Sequence, residues 1–136
     1  MNNINDFIDK MISFERRLSA ARGDFSFFAL FLREDAEDKW DLIVSAPWLD
    51  KNTTDGLKHL GSMLQLYVFD YVQSISRIIW VEGKAPELEA IHRSIETEHS
   101  IVEVKDSTFF GLPIKHAYII TSKKINEIPK TRTAAS

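Results

Sequence analysis

Cysteine is absent from the 136 residues, which excludes a disulfide framework, a thiol nucleophile and any cysteine-based zinc or iron–sulfur site. A reducing compartment suits such a chain, and a cytoplasmic location is expected. Glycine and proline are scarce, at 5 and 4 residues. Neither Gly-x-x-x-x-Gly-Lys nor Gly-x-Gly-x-x-Gly occurs, so the common phosphate-cradling routes to nucleotide binding are closed. No Gly-x-Ser-x-Gly elbow is present for a hydrolase serine. The longest apolar stretches, Phe27 to Leu32 and Leu64 to Phe69, fall well short of the roughly 20 residues a spanning helix needs, and the amino terminus lacks the basic-then-apolar pattern of a secretory signal. No membrane association is expected. Excess positive charge is missing too: the formal charge is −3, which removes the electrostatic drive behind most non-specific nucleic-acid binding.

What is there is ordinary globular composition, 44% hydrophobic and 27% charged, enough for one core. The expectation is a single α/β domain over residues 1–122 and a polar extension over 123–136, where apolar periodicity ends.

Apolar residues Phe7, Ile8, Met11, Phe14, Leu18 and Ala21 recur at three- and four-residue steps and predict a helix from about Asn5 to Ala21, ended by Gly23. Phe25 to Leu32 is apolar on both faces and reads as a strand covered above and below. After a charged loop, Trp40 to Ala46 reads as a second strand, hairpin-paired with the first and closed by Pro47. Asn52, Thr53, Thr54 and Asp55 offer N-caps for a helix with the stripe Leu57, Leu60, Leu64, Tyr67, Val68 and Tyr71, although Leu66 to Val72 suits strand as well as helix. Ser76 to Val81 is β-rich. Pro86, Glu87 and Glu89 then open a third helix extending to about His99. Ile101 to Lys105 and Ile114 to Thr121 supply two more strands, separated by a loop over Asp106 to Pro113.

The order is therefore αββαβαββ, an α+β domain resembling the α/β type, with a five-stranded mixed sheet and packed helices. Right-handed crossovers predict that the second, third and fourth strands run parallel, with the first and fifth antiparallel to their neighbours.

Glu89, His92, Glu96 and His99 repeat Glu-x-x-His twice and would share one helical face. His92, Glu96 and His99 are thus the candidate ligands for a divalent ion such as zinc or iron. The 1.5 Å rise per residue puts His92 and His99 about 10 Å apart, too far for one ion to take both, and a solvated stripe with a Glu89–Arg93 pair is the simpler account. No cofactor is otherwise expected. Glu103-Val104-Lys105 has the carboxylate-x-lysine spacing of strand-borne nuclease sites, without a matching upstream aspartate. Asp50, Asn52 and Thr54 begin like a calcium loop, but Asp55 and Gly61 occupy the positions of its glycine and glutamate. His116 is expected on the same strand face as Ile114, Tyr118 and Ile120.

The aromatic residues carry the leading expectation. Phe109-Phe110-Gly111-Leu112-Pro113 is apolar where polar turn residues are usual, and Trp48 also falls beside a strand end. Phe109, Phe110, Leu112 and Trp48 are the candidate interface residues unless they close the core. The expected function is a small binding or adaptor module, without catalysis, that engages a protein partner or self-associates as a homodimer. The alternative is a small-ligand- or metal-dependent enzyme with its site at the carboxyl ends of the parallel strands, where Asp50, Glu82, Lys84 and Asp106 would share an edge.

Overall fold

A strand with no polar face needs cover on both sides, and the first strand obtains it. In the computed structural model, which describes residues 4–35 and 38–125, Phe27 to Phe31 are all buried. The sheet has the order β3-β2-β1-β5-β4, with β1 Phe27–Arg33, β2 Trp40–Ser45, β3 Ile75–Trp80, β4 Val102–Phe109 and β5 Leu112–Ser122. β1 is central.

Alternation sorts the strand residues into two cores. Phe28, Leu30, Leu42, Val44 and Ile120 face helices α1 (Ile4–Arg22), α2 (Pro47–Lys51) and α3 (Thr53–Tyr67). Phe27, Ala29, Phe31, Ile43, Ala117 and Ile119 face helix α4 (Pro86–Ser94) through Leu88 and Ile91. α1 buries Phe7, Ile8, Met11, Phe14 and Leu18, the periodic stripe of its sequence.

The order αββαβαββ holds, with the second helix divided. Pro47 starts α2, and Asn52 leaves helical geometry at φ −150° before α3 begins. α3 buries Leu60 and Leu64 and gives way at Val68 to a 3-10 helix, Phe69–Ser74. The segment that suited strand or helix is thus the end of one helix and a 3-10 turn.

Three expectations are corrected. Only β2 and β3 are parallel neighbours; β4 is antiparallel to β5, and β5 to β1. The segment read as the loop Asp106 to Pro113 is largely strand, closed by Phe110 and Gly111 at φ +53° and +76°. Two left-handed residues make the tight turn that suits the twist of an antiparallel hairpin. That local chemistry sets β4 beside β5 at the edge, and no crossover places it beside β3. The third helix also stops at Ser94, because Ile95 is extended, Ser122 Oγ donates to Ile95 O, and Thr97 pairs with Ser122. Of the tail 123–136, Lys123 is tied to the domain, its N–H donating to Ser26 O; residues 126–136 lie outside the described residues.

No helix among the described residues is long and apolar enough to cross a membrane.

Candidate functional site

Large apolar side chains on the surface mark contact sites more often than scattered single ones do, so the aromatic residues come first. Phe109 is buried and stacks on Phe31 at 5.0 Å between ring centroids. Phe110 is half-buried, with its ring 6.2 Å from Phe27 and 6.3 Å from Phe31. The hairpin end therefore folds over the α4 side of the sheet and completes that core. Phe109 is not a surface anchor, and Leu112 is the exposed member of the group. Trp48 is half-buried: its ring meets the edge of Phe25 at 5.6 Å, its Nε1–H donates to Gly23 O at 2.9 Å, and the Arg22 guanidinium lies 4.9 Å from its centroid.

Exposure is concentrated elsewhere, at the corner where α3 passes into the 3-10 helix. Leu66 is 64% exposed, Tyr67 44% and Phe69 73%. Val68 between them is buried, so the backbone turns one residue inward and leaves three outside. The Arg17 guanidinium sits 4.4 Å from the Tyr67 ring, and Lys10 pairs with Asp70 at 3.2 Å. Charge thus rims the apolar corner. Uphill along α3, Leu57, Lys58, Gly61, Ser62 and Gln65 line a shallow groove, and a Cβ at Gly61 would meet nothing within 4 Å. Sequence reading passed over this corner because Leu66 and Phe69 fall off the expected stripe and Tyr67, placed on that stripe, is turned outward instead. Two large apolar residues beyond a helix's own core face were the available signal.

The histidine stripe does not assemble. His92 lies on α4 with Nε2 2.9 Å from Ser26 O, Glu96 is exposed in the following segment, and His99 has left the helix with φ +52°. Among the described residues, no group of three or more histidine, cysteine, aspartate or glutamate side chains is arranged to hold a metal. Glu89 pairs with Arg93 at 3.8 Å on the surface.

His99 instead reaches across the domain. Its Nδ1 lies 2.5 Å from Glu15 Oε1, and Glu15, fully buried on α1, also accepts from Thr121 Oγ1 at 2.8 Å and Ser19 Oγ at 3.2 Å. The His99 N–H donates to Thr121 Oγ1. This network fastens the 95–100 segment to α1 and β5, and each buried polar group in it has a partner, as burial requires. His116 departs from its expected face relative to Ile114: the β1–β5 register shifts between Leu32 and Arg33, sending Ile114 to the α4 side. His116 keeps company with Tyr118 at 4.5 Å, Trp40 at 6.0 Å and Glu103 Oε2 at 2.5 Å from its Nε2.

The proposed ligand edge is half assembled. Asp50, on α2 after β2, accepts from Trp80 Nε1 at 3.0 Å and from the Gly83 N–H at 3.1 Å after β3. Glu82 and Lys84 flank Gly83 and are exposed. Both Asp50 oxygens are engaged, so its carboxylate staples two strand ends together. Asp106 does not join them, because β4 is the opposite edge of the sheet.

Comparison with protein-family models, curated proteins and solved structures gives no significant match.

Proposed function

We propose that this chain is a protein-binding module whose contact surface is the apolar corner formed by Leu66, Tyr67 and Phe69. The observation that carries the reading is the exposure of these three large side chains within four residues. Arg17, held over the Tyr67 ring, fits a contact centre of aromatic and arginine groups, the residue types that dominate binding energy at interfaces. A fold built for its own stability alone would have polar residues at such a helix end.

Selection from a random-peptide display library tests this. Immobilised wild-type protein is expected to enrich peptides that a Leu66→Ser/Phe69→Ser double variant does not retain, while the variant keeps the wild-type far-ultraviolet circular dichroism. Equal retention by both proteins, or no enrichment on the wild type, would remove the corner as a binding surface.

A further inference from the structure

Aspartate is almost never buried unless it is paired, and Asp41 on β2, its side chain 3% exposed, is paired twice over. Arg33 Nε donates to its Oδ2 at 2.8 Å. Arg77 reaches both oxygens, Nε to Oδ1 at 3.2 Å and Nη2 to Oδ2 at 3.2 Å. Sharing Oδ2 sets the two guanidiniums side by side on the α4 face of the sheet, the face of Ile43 two residues along β2. Irregular pairing brings them there. Ser76 is an extra residue in β3, since Trp40 pairs with Ile75 and Asp41 with Arg77, and this bulge turns Arg77 level with Asp41. Lys115 is the corresponding extra residue in β5, opposite the step from Leu32 to Arg33. Bulges re-aim side chains and are frequent beside functional sites.

One arginine balances the Asp41 charge, so the second leaves a surplus positive charge on this face. Asp35 meets that surplus from outside: its Oδ1 accepts from Arg33 Nη1 at 2.7 Å. The Asp35 side chain is 78% exposed, and a pair so open to water adds little to stability. Arg77, 48% exposed, pairs with no carboxylate but Asp41 among the described residues. Each guanidinium spends two of its five N–H donors in these bonds. We infer that Arg33 and Arg77 form a binding site for a phosphate-type oxyanion, which takes the place that the Asp35 carboxylate now holds. A tetrahedral anion offers oxygens to both guanidiniums, whereas Asp35 engages Arg33 alone. Asp41 is the positioning residue: it holds both forks before the ligand arrives, so less conformational freedom is lost on binding. Side chains supply the donors, and no glycine-rich cradle is needed. The site goes beyond the binding-module reading and lies across the sheet from α3 and the Leu66 corner.

Titration with sodium phosphate, at an ionic strength held constant with sodium chloride so that screening does not change, tests the site through the Nε–H resonances of Arg33 and Arg77. Both are expected to shift along one saturable curve. Asp35→Asn removes the charge of the competing carboxylate and is expected to tighten phosphate binding about threefold, the size of an exposed ion pair. Arg77→Gln is expected to weaken it about tenfold or more, as loss of a charge-assisted contact does. If Arg77→Gln fails to fold, Asp35→Asn decides, because its side chain is exposed and its loss leaves the Asp41 pairs in place. Absence of a saturable shift in both wild type and Asp35→Asn up to about 20 mM phosphate, where affinity would be weaker than the low-millimolar range, overturns the inference. So does equal affinity of wild type and Asp35→Asn. The Leu66→Ser/Phe69→Ser variant is expected to bind phosphate as wild type does, so the two readings fail separately.

Discussion

Two glycines of α3 show how position decides the effect of one methyl group. A Cβ at Gly56 would stand 2.7 Å from Leu49 Cδ2, and Leu49 is fully buried, whereas one at Gly61 meets open space. Gly56→Ala is therefore expected to destabilise by about 1–3 kcal/mol through overpacking, and Gly61→Ala to stabilise by about 0.5–1 kcal/mol through helix propensity. Chemical denaturation of both variants checks the opposite signs. The buried Glu15 supplies a third residue-scale expectation. Glu15→Ala strands Thr121, Ser19 and His99, three donors that now converge on one carboxyl group. Unsatisfied buried groups of this kind cost about 1–3 kcal/mol each, so a loss of roughly 3 kcal/mol is expected, with amide exchange accelerated first in residues 95–100. None of this was readable beforehand. Glu15 has the sequence appearance of any helix carboxylate, and its partners His99 and Thr121 lie 84 and 106 residues away.

Among the elements, the β4–β5 hairpin departs most from a local reading. Apolar residues at a predicted loop allow two outcomes, exposure or closure over a core, and the choice depends on where the hairpin curls. Phe109 stacked on Phe31 settles it as core. Phe109→Ala is thus expected to cost about 3 kcal/mol, while Leu112→Asp, at the exposed turn, is expected to stay within about 0.5 kcal/mol of wild type. Urea midpoints at constant m-value compare them. Helix ends were legible only where side chains announce them. Gly23 and Pro86 mark boundaries that the structure keeps within a few residues, since α1 ends at Arg22 and α4 begins at Pro86. The end of α4 was illegible, because it is imposed by Thr97 pairing with Ser122 and by Ser122 Oγ bonding Ile95 O. Those tertiary bonds dissolved the His92, Glu96 and His99 stripe.

At the scale of the molecule, α1 is held to the end of the α3 region by a contact that responds to pH. Tyr71 O–H donates to Asp6 Oδ2 at 2.5 Å, its ring lies 5.2 Å from Phe7, and Lys10 stands over it at 5.5 Å. The hydrogen bond to Asp6, first, and then burial hold the phenol above the ordinary tyrosine value. A group raised on folding contributes stability that is complete below its unfolded pKa and disappears as pH climbs through the folded one. Thermal melts are therefore expected to lose stability on the alkaline side, beyond about pH 10, with a smaller alkaline loss in Tyr71→Phe. A slope identical in both proteins would place the alkaline loss elsewhere. The sequence by itself determined the helix and strand inventory, the two-faced central strand and the mixed five-stranded sheet, because alternation and helical periodicity are properties of neighbours along the chain. It left β4 on the wrong side of the sheet, Phe109 and Phe110 as surface candidates, and the Leu66 corner unmarked. Strand order, burial of a hairpin end and exposure of a helix end depend on what else occupies the same space, and only the tertiary structure brings those distant segments together.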